Sequence, residues 1–301
     1  MVRILASDGM EQGAVDQLTS LGFEVVDKHY QGEELTQAVK EFDVIVVRSA
    51  TKVREPLIDA SLETGKLKLI IRGGVGVDNI DVAYAQSKGI KVRNTPNASS
   101  ASVAELAIGH MFAVARHIHI ANYTMRNGEW NKKHYSGIEL SGKTLGLIGM
   151  GRIARETAKR AAALGMRVIY TNRSGHKPEN DPFSHVSLDE LLASSDFISL
   201  HMPKADGYLL GKAEFARMKE GAYIINTARG SLVDEDALCD ALDAGKVAAA
   251  AVDVFAEEPT KNTRLTTHAK ISMTPHIGAA TDEAQQRIGE EIVQIITESF
   301  S

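Results

Sequence analysis

Three polar segments interrupt strongly apolar stretches of this 301-residue chain: Ile224–Ser231 (IINTARGS), Ala251–Pro259 (AVDVFAEEP) and Met273–Gly278 (MTPHIG). They set Arg229, Asp253 with Glu258, and His276 just beyond runs that read as strands. An imidazole exchanges protons near neutrality, and a carboxylate beside it favours the imidazolium. A guanidinium is a fixed two-pronged donor that lysine does not reproduce. Taken singly, Arg229 could cap a helix, Glu258 could sit on a solvated loop and His276 could be a satisfied core histidine. At three consecutive strand ends, where open parallel sheets bind ligands, the functional reading is the stronger one.

A second signal names a co-reactant. In Lys143–Ala154 (KTLGLIGMGRIA) an apolar strand runs into Gly149-x-Gly151-x-x-Ala154, and a helix pattern follows. Gly149 allows the tight turn, Gly151 a close approach to a pyrophosphate, and Ala154 close helix–strand packing, with the helix N-terminus (Arg152, Ile153) facing the phosphates. The alternative is an ordinary glycine-rich turn with no ligand. Hydride transfer between a hydroxy acid and a nicotinamide needs an acid/base, a cation for the carboxylate and carbonyl, and a group that tunes the base. The three segments supply all of them. At the end of the next strand, Asn172-Arg173-Ser174 stands where a carboxylate would bind a ribose 2′-hydroxyl. Arginine can pair with a 2′-phosphate, so NADP(H) is favoured and NAD(H) stays open; the plainer reading of Arg173 is a solvated loop charge.

These residues must be positioned by alternating strands and helices. Strands are expected at 2–6, 23–27, 43–47, 67–71 and 90–92, with helices near 11–21, 32–41, 55–63 and 80–88. A second series follows at 143–148, 166–171, 196–200, 222–226, 247–252 and 270–273, six strands that match a complete dinucleotide-binding sheet. Between the series, 99–125 reads as one long helix opened by Ser102 and Glu105 at capping-box spacing. The fold class is α/β with two doubly wound parallel-sheet domains and a cleft between them. A flavodoxin-like substrate domain takes 1–96 and 281–301, and a Rossmann nucleotide-binding domain takes 97–280.

Composition narrows the partners. The formal charge of −5 comes without any Lys/Arg block, so neither nucleic acid nor a membrane surface is expected. One cysteine, Cys239, excludes an intrachain disulfide and fits a reducing, cytoplasmic setting. The first residues read as a strand and not as a signal peptide, and no apolar run approaches the roughly 20 residues that span a bilayer. No metal site is expected. His117 and His119 are two apart in a helix pattern and face different directions, and there is no Cys cluster or His-Glu-x-x-His.

The segments GLIGMGRIA (146–154), NTARGSLVDEDAL (226–238), AAVDVFAEEP (250–259) and TPHIGAAT (274–281), in this order and spacing, resemble the D-2-hydroxyacid dehydrogenase family over almost the whole chain. The resemblance implies an Arg–Glu–His triad on Arg229, Glu258 and His276, with Asp253 at the nicotinamide end. Cofactor contacts would then fall on Val75, Gly149, Gly151, Arg152, Ile153, Asn172, Arg173, His201, Thr227, Ala228, Arg229, Asp253, His276 and Gly278. Val47–Val53 (VRSATKV), Ile71–Ile80 (IRGGVGVDNI) and Asn94–Asn97 (NTPN) are similar to the members that oxidise 3-phosphoglycerate at the entry to serine synthesis. That similarity implies Arg48 and Arg72 for the substrate phosphate. It also implies the turn Gly73, Gly74, Val75 and Gly76, with Arg229, for the carboxylate. The same chemistry on glyoxylate or hydroxypyruvate is the alternative, in keeping with Asn172-Arg173. A dinucleotide-sensing corepressor on the same fold is a remote third. The family further implies a homodimer through 99–140, which holds Trp130. Three departures stand out: the chain stops at Ser301, so serine feedback through a further region is not expected; Asn172 replaces the usual acid; and Leu200–Gly207 (LHMPKADG) is less typical than its neighbours.

Overall fold

Strand residues of alternating parity enter opposite apolar layers, and this decides the architecture. The computed structural model describes residues 1–176 and 182–300. Two compact units emerge: residues 1–99 with 279–301, and residues 100–278. The first holds β1 (Arg3–Ala6), α1 (Gln12–Ser20), β2 (Glu24–Asp27), α2 (Gly32–Ala38), β3 (Val44–Val47), α3 (Glu55–Leu62), β4 (Leu69–Arg72), α4 (Val82–Ser87) and β5 (Lys91–Asn94). Its parallel sheet runs β2-β1-β3-β4-β5, the flavodoxin-like order. Leu5, Ile45, Val47 and Ile70 pack with Leu35, Leu57 and Ile58 from α2 and α3. Ile4, Val44, Val46, Leu69 and Ile71 pack with Leu18 of α1 and with Ile288, Ile292 and Ile296. That last trio belongs to the final helix, α12 (Asp282–Phe300). A period of two with both faces covered is the signature of a doubly wound sheet.

The second unit contains α5 (Ser100–Ala115), α6 (Ile118–Arg126), β6 (Thr144–Ile148), α7 (Arg152–Ala163), β7 (Arg167–Thr171), β8 (Ser184–His185), α8 (Leu188–Ser194) and β9 (Phe197–Leu200). It continues with α9 (Lys212–Arg217), β10 (Ala222–Asn226), α10 (Glu235–Asp243), β11 (Val247–Val252), α11 (Thr263–Thr266) and β12 (Ile271–Met273). The sheet order is β12-β11-β10-β9-β6-β7-β8. Leu145, Leu147, Phe197 and Ile225 face α5 and α7, while Ile148, Ile198, Leu200 and Ile224 face α8, α9 and α10. The chain reverses its strand order between β6 and β9, which is where a dinucleotide fold binds its ligand.

Three expectations are corrected. Among the described residues the sheet has seven strands, not six. The third strand of the Rossmann order is the two-residue edge strand β8, too short to leave an apolar run, and β12 is an addition beyond the six. The single helix over 99–125 is instead two, broken where His117 adopts a left-handed φ of 55°. The capping box also fails: the helix has already begun at Ser100, Ser102 is buried within it, and Glu105 reaches Arg160 on α7 at 2.9 Å. Among the described residues no helix is long and apolar enough to cross a membrane.

Candidate functional site

Strands β10, β11 and β12 are neighbours, so the loops at their carboxyl ends meet. After β10, the buried Asn226 side chain clamps the turn: its Oδ1 accepts from Ala228 N–H at 3.1 Å and its Nδ2 donates to Arg229 O at 2.9 Å. Gly230 follows because a Cβ there would overlap the Phe255 carbonyl, so the β10 and β11 loops touch through backbone. After β11, Glu235 on α10 accepts from Ala256 N–H at 2.8 Å and from Asn262 Nδ2 at 2.9 Å, fixing the loop that presents Glu258. Glu258 Oε1 accepts from Phe255 N–H at 3.1 Å, and its Oε2 lies 2.7 Å from His276 Nδ1. A carboxylate only accepts, so Nδ1 carries the hydrogen and Nε2 is the face available for proton exchange. Burial alone would raise the Glu258 carboxyl. The His276 hydrogen bond and charge, the Phe255 N–H and the Arg229 charge outweigh it, holding the group below the usual carboxylate range. The structure thus brings Arg229, Glu258 and His276 together.

His276 itself sits at a φ of 53°, a region that L-residues enter only when their surroundings impose it. Asp253, 1% exposed, imposes it. Its Oδ1 accepts from Thr274 Oγ1 at 2.6 Å and Ile277 N–H at 2.8 Å, and its Oδ2 accepts from Gly278 N–H at 2.8 Å. The aspartate expected at the nicotinamide end therefore also braces the turn that carries His276. Sequence reading missed Asn226, Glu235 and Thr274. The available signal was their place in the sequence: Asn226 falls three residues before Arg229, Thr274 two before His276, and Glu235 six after Arg229.

The nucleotide turn lies at the end of β6. Gly149 has a φ of 95°, and a Cβ there would stand 2.5 Å from His201 O. Gly151 caps α7 with open space in front of it and no side-chain hydrogen bond to the first-turn N–H groups. The α7 N-terminus keeps unsatisfied donors with no acid in its first turn, which suits a pyrophosphate. The buried Thr227 hydroxyl also has no partner. These residues fit a dinucleotide, which when bound supplies or accepts the hydride. Asn172 follows β7, its Nδ2 donating to Ser174 Oγ at 2.9 Å, beside the exposed Arg173. His201 follows β9 with Nε2 2.9 Å from Ser199 Oγ, and burial pushes its imidazole down to about 4.

The remaining expected residues belong to the first unit. Arg48 follows β3 and Arg72 ends β4, on adjacent strands. The 48–51 turn is tied by Asp8, which accepts from Arg48 N–H at 2.7 Å, Thr51 N–H at 2.9 Å and Thr51 Oγ1 at 2.6 Å. Asn79 Nδ2 completes it through Arg48 O and Thr51 O. The Arg72 guanidinium lies where a Gly74 Cβ would be, and the Arg48 stem packs on Gly73. Asn94 Nδ2 donates to Val75 O at 2.6 Å, holding the 73–76 turn, where Val75 is exposed.

Comparison with known proteins agrees with this geometry. The family model described as D-isomer specific 2-hydroxyacid dehydrogenase, NAD binding domain, matches residues 108–278. The hydroxypyruvate reductase of Thermotoga maritima is 47% identical, with 98% of this chain and 97% of that protein covered. The D-3-phosphoglycerate dehydrogenase of Methanocaldococcus jannaschii is 45% identical over 98% of this chain, which spans only 57% of that relative. The NADPH-dependent glyoxylate/hydroxypyruvate reductase of Sinorhizobium meliloti, solved with NADP and malonate, superposes with a TM-score of 0.87 at 29% identity, covering 100% of this chain and 94% of that one. With a nucleotide turn at the strand-order reversal, and an imidazole–carboxylate pair and a guanidinium at three adjoining strand ends, the chain belongs to the D-isomer specific 2-hydroxyacid dehydrogenase family and is an NAD(P)-dependent enzyme of that kind.

Proposed function

We propose that the enzyme interconverts 3-phosphoglycerate and 3-phosphohydroxypyruvate, with Arg229, Glu258 and His276 as its catalytic residues. The carrying observation is the pair Arg48 and Arg72 on adjacent strands beside a glycine turn. Two guanidinium groups match a dianionic phosphate, and the turn's N–H groups suit a carboxylate. In the second unit His276 Nε2 exchanges the C2 hydroxyl proton, Glu258 holds the ring and its charge, and Arg229 steadies the substrate's carboxylate and carbonyl. Initial rates on 3-phosphohydroxypyruvate, hydroxypyruvate and glyoxylate test the reading. Arg48→Ala and Arg72→Ala should raise KM for the phosphorylated acid by about tenfold or more and spare the others. Equal effects on all three acids would refute it.

A second substrate reading rests on the Thermotoga relative, a hydroxypyruvate reductase matched along its length. Asn172-Arg173-Ser174 supports it as well, since a strand end without a carboxylate accommodates a 2′-phosphate and hence a reductive cofactor. We assign NADP(H) on that ground. Arg173→Ala should weaken NADPH more than NADH, measured by cofactor fluorescence. A homodimer is also proposed: Ile118, Tyr123, Met125 and Trp130 are large exposed apolar side chains on or just after α6. Sedimentation equilibrium showing a monomer would remove it.

A further inference from the structure

One buried titratable group has no part in the chemistry above. His110, on α5, is 4% exposed. Its Nε2 lies 2.9 Å from Thr274 Oγ1 and its Nδ1 lies 3.2 Å from Ser272 Oγ. Thr274 Oγ1 is in turn 2.6 Å from Asp253 Oδ1, the carboxylate that receives the Ile277 and Gly278 N–H groups.

The proton directions in this chain follow from donor counting. Asp253 as a carboxylate only accepts, so the single Thr274 hydroxyl hydrogen points to it. The Thr274 oxygen then takes its second bond from a donor, which must be His110 Nε2–H. Burial disfavours the charged ring and outweighs the pull of Asp253, while His119 adds to the lowering. The ring is therefore neutral, Nδ1 is bare, and it accepts from the Ser272 hydroxyl. Each polar atom of the chain has one role, from Ser272 through His110 and Thr274 to Asp253. A directed, fully satisfied buried network of this type fixes the rotamers of its members.

We infer that His110 is a positioning residue: through Thr274 and Asp253 it sets the 274–278 turn and so the aim of His276. This rests on His276 being the acid/base, as proposed above. The left-handed backbone of His276 is held by the Asp253 carboxylate, and the Asp253 rotamer is held by a threonine hydroxyl that His110 locks in direction. Helix α5 thereby governs a ring more than 160 positions away in sequence. A displacement of about an ångström at a reacting group costs up to about a hundredfold in rate, so a loosened turn lowers kcat far more than it weakens the nucleotide, whose pyrophosphate turn at Gly149–Gly151 is left as it is.

The test uses the full chain and reduction of the keto acid it accepts best, with kcat, KM, cofactor affinity and thermal midpoint measured for each variant. His110→Leu and Thr274→Val should each lower kcat about tenfold, with a much smaller change in cofactor affinity. The double variant should be no worse than either single one, because both cut the same chain. His110→Gln, whose amide reaches Thr274, should recover kcat to within about threefold, whereas the shorter His110→Asn should not. If His110→Leu does not fold, the Gln and Asn pair decides. Equal kcat in Gln and Asn, additive losses in the double variant, or a lowered thermal midpoint at wild-type kcat overturns the inference. His276→Ala runs alongside. Inactive His276→Ala with fully active His110→Leu sinks this inference alone, and active His276→Ala sinks the acid/base assignment with it.

Discussion

An imidazole whose Nδ1 is tied to a carboxylate at 2.7 Å presents its other nitrogen with a fixed tautomer and direction. Replacing it removes proton transfer and leaves the nucleotide turn intact. His276→Ala should therefore lower kcat by about 10²–10⁴ with cofactor affinity preserved, and near-normal turnover would refute the assignment. Acid stability is set by the same kind of residue-level chemistry. His201 is held near 4 against an ordinary 6.5, so the unfolded chain binds its proton first. The stability this represents is fully present above pH 6.5 and is lost as pH falls towards 4. Glu258, also lowered, adds a loss that begins below its ordinary 4.5. Urea midpoints at pH 7, 5.5 and 4.5 should fall in the wild type and fall less in His201→Gln; parallel curves would refute the role of His201. Arg229, Glu258 and His276 were legible in the sequence because they interrupt apolar strand ends. Asp8, Asn79 and Thr274 were not, since the groups they satisfy lie between 21 and 164 residues away along the chain, and Asn226, whose partners are local, closes a turn that leaves no pattern of its own.

At the scale of elements, apolar runs located every described strand except β8. The central strands are runs of four to six residues buried on both faces, and even the partly exposed edge strands β2 and β5 and the three-residue β12 keep one or two apolar residues. Sequence pattern failed where tertiary contact overrode it. The apolar positions of 99–125 continue through His117 with no glycine or proline at the break, the one glycine of the segment, Gly109, lying inside α5. The break comes from the returning segment: Ile138 N–H donates to Ala115 O at 2.9 Å, His117 Nε2 lies 3.2 Å from Ser136 O, and a Cβ on Gly137 would overlap Ala115 O. The β6–α7 turn was legible because its glycines answer to local geometry. Gly149 needs both its φ of 95° and the absence of a Cβ beside His201 O. Gly149→Ala should cost about 2–4 kcal/mol in stability and weaken cofactor binding, read by thermal midpoint and fluorescence titration. An unchanged midpoint would show that the turn tolerates a side chain and that its glycine is not structural.

At the scale of the whole chain, the last helix closes the first sheet's core, not that of the unit it follows in sequence. Residues 279–301 join residues 1–99, and the buried face of α12 (Ile288, Ile292, Val293, Ile296) packs with Leu18 of α1 and with Val46 and Ile71 of the sheet. Ile288 Cγ2 and Ile292 Cδ1 stand 3.3 and 3.6 Å from where a Gly73 Cβ would be, so this helix also floors the glycine turn proposed to take the substrate carboxylate. Ile292→Ala should then do two things at once. Truncating a fully buried isoleucine costs about 2–5 kcal/mol, and amide exchange should quicken through β1, β3, β4 and α1 while β6, β9 and β10 keep their protection. Because the cavity opens directly beneath Gly73, KM for the acid substrate should rise while cofactor affinity holds. Faster exchange in both sheets together would mean that the two units unfold as one. An unchanged KM in protein that is otherwise folded would mean that the turn is shaped by Arg48 and Arg72 alone, without the helix beneath it.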